Sequence, residues 1–214
     1  MEYIKLCSYT KIIKKRVVLD QINLSLEKGG IYGFVGKNGC GKTMLLRAIC
    51  GFITPNEGSA CIGGIKVGNG KFAPSLGTVI ENTALYDNLT AYQNLCLFSS
   101  FSVNKITSEE IEFWIDKFGL DPKSKKVYGE FSLGMRQRLS LAQAFMEKPE
   151  LIVLDEPTNA LDEKGVKEFH SIALNAKNNG ATIIIASHSR DDIDALCSKI
   201  FYIENGKIVR EAVK

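Results

Sequence analysis

The sequence predicts an α/β fold: a mostly parallel sheet flanked by helices, an antiparallel β piece near the N-terminus and a helical insert in the middle. Three observations predict it. From residue 151 onward, short apolar runs alternate with polar segments of helix length, which is typical of a parallel sheet covered on both faces. Gly63-Gly64 separates two short apolar runs and marks a hairpin turn near the N-terminus. Helix-start patterns recur through the middle of the chain.

The N-terminal third is predicted to consist of short strands. They cover residues 3–7, 17–19, 22–26, 31–35, 58–62 and 65–67. A first helix is expected to follow the glycine-rich segment 36–41 and to end near Gly51, because glycine is favoured just past a helix C-terminus.

The rest of the chain is predicted to be helical in its middle and α/β at its end. Thr90 with Gln93, and Thr107 with Glu110, have the spacing of capping boxes that begin helices. Helices are expected at 163–177 and about 190–197, and a strand at 182–186. Asn205-Gly206 predicts a terminal hairpin between 200–203 and 207–209.

Composition excludes several classes of protein. The chain has 214 residues, of which 45% are hydrophobic and 24% charged, so it can bury a sizeable core and is not a disordered chain. The net charge of +3 argues against a dedicated nucleic-acid binder. The six cysteines contain no CxxC pair, which favours reduced thiols over a disulfide scaffold or a zinc site.

The sequence predicts one soluble domain, residues 1–214, with a cytoplasmic location. The first residues mix charged and apolar side chains and contain no signal-type apolar stretch. The longest apolar runs have the length of strands and are far shorter than a membrane span. If the protein works at a membrane, we therefore expect another polypeptide to supply the anchor.

One segment matches the phosphate-binding pattern G-x-x-x-x-G-K-[ST]. It consists of Gly36, Lys37, Asn38, Gly39, Cys40, Gly41, Lys42 and Thr43. A predicted strand precedes it and a predicted helix follows, so its backbone N–H groups would face an anion at a helix N-terminus. Lys42 is expected to reach the β- and γ-phosphates, and Thr43 to bind Mg²⁺. The alternative is a glycine-rich turn without a ligand. It is disfavoured because the strand before the loop and the helix after it both agree with the motif.

Two carboxylates follow the apolar run 151–154. Asp155 and Glu156 are expected at the carboxyl end of a buried strand, where ligand sites of parallel sheets lie. Asp155 is predicted to hold the hydrated Mg²⁺, and Glu156 to polarise the water that attacks the γ-phosphate. Taken alone, the pair would be an ordinary acidic turn, and it is the phosphate loop upstream that favours a catalytic role.

With these two motifs in order, the chain resembles the ATP-binding domain of ABC transporters over nearly its whole length. Further segments carry the resemblance: 131–135 (FSLGM) is similar to the signature motif, 159–162 to the D-loop, and Ser187-His188 to the switch histidine. Glu81 lies where most members have glutamine. The resemblance implies a P-loop NTPase core, a helical subdomain inserted at roughly 83–145, and ATP with Mg²⁺ as ligands.

The resemblance also implies how the site works. Members bind two ATP molecules between two head-to-tail ATPase domains, so Ser132 and Gly134 would contact the nucleotide of a second domain in a homodimer or heterodimer. His188 would contact the γ-phosphate, and Glu81 would contribute an oxygen near Mg²⁺. The remaining nucleotide contacts implied are Ile13, Val18 and Met44. Ile13 replaces an aromatic residue that stacks on adenine, and Tyr9 is an alternative base contact.

Partners and function follow from the same resemblance. Glu81 and the SLGM-type signature are similar to the exporters and immunity transporters of antibiotics and lantibiotics. The chain is thus expected to energise solute transport through a separate membrane permease, on the cytoplasmic face of the membrane. A patch near Leu85 to Leu89, including Tyr86, is the expected permease contact. A soluble ATPase of translation or DNA repair is not expected, because such ATPases resemble tandem domains or domains split by long coiled coils, for which 214 residues leave no room. A regulatory module that binds ATP without hydrolysing it remains open.

Overall fold

Two sheets and six α-helices make up the part of the chain that the structure describes. The structure is a computed structural model, and it describes residues 2–81, 85–102, 105–188 and 190–214. The strands are β1 (Glu2–Ile13), β2 (Arg16–Glu27), β3 (Ile31–Val35), β4 (Glu57–Ile62), β5 (Ile65–Val67), β6 (Leu76–Val79), β7 (Leu151–Asp155), β8 (Thr182–Ala186), β9 (Lys199–Glu204) and β10 (Lys207–Val213). The helices are α1 (Lys42–Cys50), α2 (Ala91–Ser99), α3 (Ser108–Lys117), α4 (Leu133–Met146), α5 (Glu163–Asn178) and α6 (Arg190–Leu196).

The central sheet has the strand order β10-β9-β3-β8-β7-β6. Its strands run parallel except at the β9–β10 pair, which forms the antiparallel terminal hairpin that Asn205-Gly206 predicted. Parallel strands carry their carboxyl ends to one edge of the sheet. The segments that follow β3, β7 and β8 therefore meet at that edge, and these are the segments that carry the predicted site residues.

Each face of the central sheet is covered, because alternate residues of a strand point to opposite sides. Ile152 and Leu154 of β7 pack with the helices of the insert and α5, whereas Leu151 and Val153 pack with α1 and the N-terminal sheet. All four side chains are buried. The apolar run thus belongs to a central strand, which confirms the α/β prediction.

The N-terminal sheet is antiparallel, with the order β2-β1-β4-β5. Its strands differ from the prediction: residues 17–19 and 22–26 belong to the single strand β2, and β1 extends to Ile13. The sequence predicted two strands separated at residues 20–21. Instead, Gln21 has φ +49° and the register shifts between the Tyr9↔Ile22 and Lys11↔Leu19 pairs, so the strand continues through a bulge.

The middle of the chain contains three helices, as predicted, and one strand that the sequence did not predict. Both capping boxes are present: Thr90 caps α2 with Gln93, and Thr107 caps α3 with Glu110. Strand β6 was missed because it has only four residues and contains Gly77, which weakens a strand pattern, and its pairing with β7 is non-local. The predicted start of the helical insert, residue 83, lies outside the described residues, and the domain boundaries stay a prediction.

None of the helices in the described ranges combines the length and the apolar character that crossing a bilayer requires. The six cysteines are free thiols, as predicted from their spacing. Three of them, Cys40, Cys50 and Cys197, are buried, and burial raises the pKa of Cys50 to about 12.

Gly77 permits the close approach of β6 to α4. A Cβ at this position would overlap the carbonyl oxygen of Ala144 and lie 2.8 Å from Cγ of Pro149. We expect Gly77→Ala to lower the free energy of unfolding by about 1–3 kcal/mol, because the backbone of α4 must shift to admit the methyl group. Urea denaturation followed by far-UV circular dichroism measures the change, and an unaltered midpoint would contradict this packing.

Candidate nucleotide site

The phosphate loop lies between β3 and α1, where the motif predicted it. Gly39 and Gly41 have φ +76° and +115°, in the left-handed region that favours glycine. The loop also packs tightly. A Cβ on Gly36 would overlap the carbonyl oxygen of Ile203, and one on Gly41 would lie 3.0 Å from the carbonyl oxygen of Val18. The glycines thus serve both the turn and the close contact with β2 and β9.

Lys42 is the buried cation of this loop, with only 6% of its surface exposed. Its Nζ donates to the carbonyl oxygen of Gly36 at 2.7 Å and to that of Lys37 at 3.4 Å. Both partners are neutral, and no carboxylate of the described residues lies within ion-pair distance of Nζ. A buried ammonium with only neutral partners attracts an anion strongly, because little water screens its charge.

Asp155 and Thr43 are in direct contact, although they are far apart in sequence. The Thr43 hydroxyl donates to Oδ2 of Asp155 at 2.5 Å. Burial raises the pKa of Asp155 above its ordinary value of 3.8, and the negative charges of Glu156 and Glu81 act in the same direction. The hydrogen bond from Thr43 and the charge of Lys42 oppose this rise. The pair presents two hard oxygen donors, which is the chemistry that Mg²⁺ prefers.

Glu156 is held by the segment that follows β8. Its own N–H donates to the carbonyl oxygen of Ala186 at 2.8 Å, and its φ is +48°. Its Oε2 accepts hydrogen bonds from the Ser187 hydroxyl at 3.2 Å and the His188 backbone N–H at 3.3 Å. Nδ1 of His188 lies 2.8 Å from the same oxygen. The structure therefore places the two predicted catalytic residues together.

A cavity of about 540 Å³ connects the loop with the carboxylates. Its described lining contains most of the predicted residues of the loop, both carboxylates and Val18, together with residues that were not predicted. They are Arg16, Val17, Val18, Asn38, Gly39, Cys40, Gly41, Lys42, Thr43, Met44, Asp155, Glu156, Asn205 and Gly206. Gly36 and Lys37 contribute the carbonyl groups behind Lys42, as described above.

The terminal hairpin forms a wall of this cavity that the sequence did not predict. The Gly206 N–H donates to the carbonyl oxygen of Cys40 at 2.7 Å, and its carbonyl accepts from the Asp20 N–H at 2.9 Å. Lys207 pairs with Asp20 at 3.1 Å. The Asn-Gly turn was visible in the sequence, but nothing local shows that it braces a loop more than 160 residues earlier.

Of the two residues considered as contacts to the nucleotide base, Ile13 and Tyr9, the structure excludes Tyr9. Ile13 is 37% exposed and pairs with Arg16 across the β1–β2 hairpin, and its predicted base contact stays a prediction. Tyr9 is not available as a base contact. It is fully buried, and its hydroxyl donates to the carbonyl oxygen of Ile53 at 2.9 Å. The alternation of strand β1 points Tyr9 into the core.

Ser132 and Gly134 lie at the start of α4 and not in the lining of this cavity. The Ser132 side chain caps α4 by accepting from the Met135 N–H at 3.3 Å. A Cβ on Gly134 would lie 2.7 Å from the carbonyl oxygen of Ala160, so the signature segment packs directly on the D-loop. Leu133 is 73% exposed. Ser132 and Leu133 are therefore exposed at the surface, whereas Gly134 faces the D-loop.

Arg138 joins α4 to α5, a contact that was not predicted. Its guanidinium donates to Oδ1 of Asp162 at 2.5 Å, to Glu168 at 3.2 Å and to the carbonyl oxygen of Phe118 at 3.0 Å. Asp162 is the N-cap of α5. One mostly buried side chain thus fixes the signature helix to the element that follows the D-loop.

Glu81 lies near the carboxylates and pairs with a cation that was not predicted. Its Oε2 lies 2.7 Å from the Arg47 guanidinium, and its charge contributes to the raised pKa of Asp155. In the described ranges, no cluster of three or more histidine, cysteine or acidic side chains is arranged to hold a metal.

The family model described as ABC transporter matches residues 19–159, more than half of the chain. The chain belongs to the ABC transporter family. It is an ATP-binding subunit and ATPase of that family, as the ordered motifs predicted.

Two relatives match along nearly the whole of this ATP-binding subunit. The uncharacterized ABC transporter ATP-binding protein YybJ of Bacillus subtilis is 46% identical over 207 residues, which cover 96% of this chain and 94% of the relative. The bacitracin transport ATP-binding protein BcrA of Bacillus licheniformis is 37% identical over 211 residues, 97% of this chain and 69% of the relative.

The fold of the ABC subunit is also that of a solved cassette. The ABC transporter cassette MJ0796, solved as a dimer, matches with a TM-score of 0.88 and 24% identity over 98% of each chain. At this identity the likeness concerns the fold, and it confirms the predicted mixed sheet with helices on both faces.

The Asp155 carboxylate should lower stability at neutral pH. Because its folded-state pKa is raised, any stabilisation from this group is present below the unfolded value of 3.8 and is lost as pH rises through the folded-state pKa. We expect Asp155→Asn to raise the thermal midpoint of the nucleotide-free protein at pH 7. The gain should shrink as pH falls toward 4. Differential scanning calorimetry at both pH values measures it.

Asp116→Asn is the matched control, since Asp116 is an exposed aspartate on α3 and its replacement should change stability by less than about 0.5 kcal/mol. A midpoint that falls at pH 7 in Asp155→Asn would show that the charged carboxylate stabilises the fold, contrary to this expectation.

Proposed function

We propose that this chain hydrolyses MgATP at the seam between two ATPase domains and so energises export of an antibiotic, a peptide or another small compound through a membrane permease. The observation that carries the proposal is the arrangement of the cavity. A buried cation and a glycine loop lie on one side, and a carboxylate oriented by His188 lies on the other. A phosphate held by the loop would lie between the two.

Glu156 is the proposed general base. A water between its carboxylate and the γ-phosphate would attack phosphorus in line with the bridging oxygen to the β-phosphate. That bond breaks, ADP leaves with the bridging oxygen, and the proton of the water passes to Glu156. Hydrogen bonds from Ser187 and the His188 backbone, with the His188 ring 2.8 Å away, hold one oxygen of the carboxylate in place.

Thr43 and Asp155 are the proposed magnesium residues, with Glu81 as a more distant carboxylate. The fit rests on donor chemistry: a hydroxyl and a carboxylate oxygen lie 2.5 Å apart at the wall of the cavity. When bound, Mg²⁺ neutralises charge on the β- and γ-phosphate oxygens. The burial that raises the pKa of Asp155 also makes a cation at this point favourable, because a positive charge relieves the cost of burying the carboxylate.

A second ATPase domain is proposed to complete the site. Ser132 caps α4 at an exposed position, and neither Ser132 nor Gly134 lines the cavity of its own chain. A helix N-terminus with outward N–H groups is an anion site, so it would suit the γ-phosphate held by another copy. Hydrogen bonds to charged groups contribute about 1.5–3 kcal/mol each, and a shift of a two-state population from 1:99 to 99:1 needs about 5.5 kcal/mol. The MJ0796 cassette was solved as a dimer, in line with this proposal.

The transported compound is proposed to be an antibiotic or a similar small molecule. The support is the name of the bacitracin transport relative, together with Glu81 and the SLGM-type signature. The name also favours transport over a regulatory module that binds ATP without hydrolysing it. The permease would hold this chain at the cytoplasmic face of the membrane.

The proposed permease contact is the segment around Tyr86. Tyr86 is 55% exposed, although its loop is firmly held. The buried Asn94 side chain accepts from the Tyr86 N–H at 2.8 Å and donates to the carbonyl oxygens of Tyr86 and Leu89 at 3.1 and 3.2 Å. A large apolar ring presented on a fixed loop is typical of an interface anchor.

Glu156→Gln should lower ATP turnover by about two to four orders of magnitude while leaving ATP binding intact. The amide keeps the size of the side chain and loses the ability to take a proton. Phosphate release and ATP-dependent dimerisation, followed by size-exclusion chromatography, are the two measurements. The variant should accumulate as a dimer in MgATP, because the γ-phosphate persists. Wild-type protein that binds ATP without turnover, alone and with its permease, would instead favour the regulatory module.

Tyr86→Glu should prevent co-purification with the membrane subunit and leave the unfolding midpoint unchanged, because a charge placed in an apolar contact is costly to desolvate. Pull-down of the permease in detergent, with the ATPase subunit tagged, measures the effect. The control is Val209→Glu, an exposed apolar position on β10 with 53% exposure. Equal recovery of the permease with both variants would exclude this loop as the contact.

A further inference from the structure

The two ends of the nucleotide cavity differ in chemistry. Asp155 and Glu156 lie beside Thr43 at one end, which is the proposed γ-phosphate end. The segment Arg16 to Val18, at the start of β2, forms another part of the lining. A nucleotide whose phosphates follow the loop must direct its base away from the carboxylates. The segment of β2 in the lining is then placed to meet the base, beside Asn205 and Gly206 of the terminal hairpin.

The position of Arg16 follows from the strand geometry. The carbonyl of Val18 touches the loop at Gly41, since a Cβ there would lie 3.0 Å from it. Residues i and i+2 of a strand share a face and lie roughly 6.6 Å apart. Arg16 therefore lies on the same face as Val18, one step further from the loop, in register with Ile13 of β1.

No aromatic side chain occurs among the described residues that line this cavity. The lining near the base is aliphatic at Val17 and Val18, and it contains one planar group with delocalised charge, the Arg16 guanidinium. Arg16 is exposed, and it makes no ion pair with any residue in the described part of the chain. Its side chain is thus free to pack on a ligand, while Lys42 and the loop serve the phosphates.

We propose that the guanidinium of Arg16 packs flat on the face of the nucleotide base and supplies the stacking surface of this site. The inference rests on the proposed nucleotide site and names a residue that determines how its base is held. A guanidinium stacks on aromatic rings through its planar, weakly hydrated charge. Val18, on the same face of the strand, then contributes apolar contact beside it.

The test compares a ligand that has a base with one that has none. ADP and inorganic pyrophosphate, each with Mg²⁺, are titrated into the full chain by calorimetry, pyrophosphate by competition against ADP. Neither ligand carries a γ-phosphate, so hydrolysis does not interfere. We expect Arg16→Ala to weaken ADP binding roughly tenfold and to leave pyrophosphate binding unchanged. Arg16→Tyr should bind ADP nearly as well as the wild type, because an aromatic ring also stacks on a base.

Two controls accompany these variants. Lys66→Ala removes an exposed cation from β5, away from the cavity lining, and should leave both affinities unchanged. Lys42→Ala should weaken both ligands, since it removes the cation at the phosphates.

The outcomes separate the possible failures. Loss of both ligands in Arg16→Ala, without recovery in Arg16→Tyr, would place the guanidinium on the phosphates and overturn the inference. Unchanged ADP affinity in Arg16→Ala would overturn it as well. If the wild type bound neither ligand, the proposed nucleotide site itself would be wrong, whatever the Arg16 variants did.

Discussion

The contact between Thr43 and Asp155 is the interaction on which the site depends. It joins the end of the phosphate loop to the end of β7 at 2.5 Å, across 112 positions of sequence. The contact exists because β3, β8 and β7 are neighbours in one parallel sheet and carry their carboxyl ends to a common edge. The strand between the two, β8, delivers Ser187 and His188 to Glu156. Sheet order thus assembles loop, carboxylates and histidine without any of them being close in the chain.

Charge and burial at this edge are arranged for ligands rather than for stability. Lys42 is buried with neutral partners, and Asp155 is a buried carboxylate whose pKa is raised chiefly by that burial. Each buried charge destabilises the nucleotide-free protein and becomes favourable when a group of opposite charge binds beside it. The two buried charges that destabilise the fold are therefore the ones that would bind phosphate and a cation most favourably. Such a conflict between stability and function is expected at a binding site.

A second group of contacts ties the helical insert to the core. Gly134 lies so close to Ala160 that only a residue without a side chain fits easily, and Arg138 connects α4 to Asp162 and Glu168. Gln137 adds a hydrogen bond to the carbonyl oxygen of Pro157 at 2.8 Å. The N-terminal end of α4 is therefore fixed directly to the segment that follows Glu156.

The sequence by itself determined the features that local chemistry decides. The glycines and lysine of the loop, the capping boxes at Thr90 and Thr107 and the acids after β7 each require particular residues at fixed spacing. Only the tertiary structure decided which distant segments complete the site. Three contacts join segments that are remote in sequence: β6 with β7, Gly206 with Cys40, and Arg47 with Glu81. The bulge that continues β2 through Gln21 likewise depends on the pairing with β1. The burial of Tyr9 has the same cause: which face of a strand meets a cavity depends on sheet register, which a single sequence does not reveal.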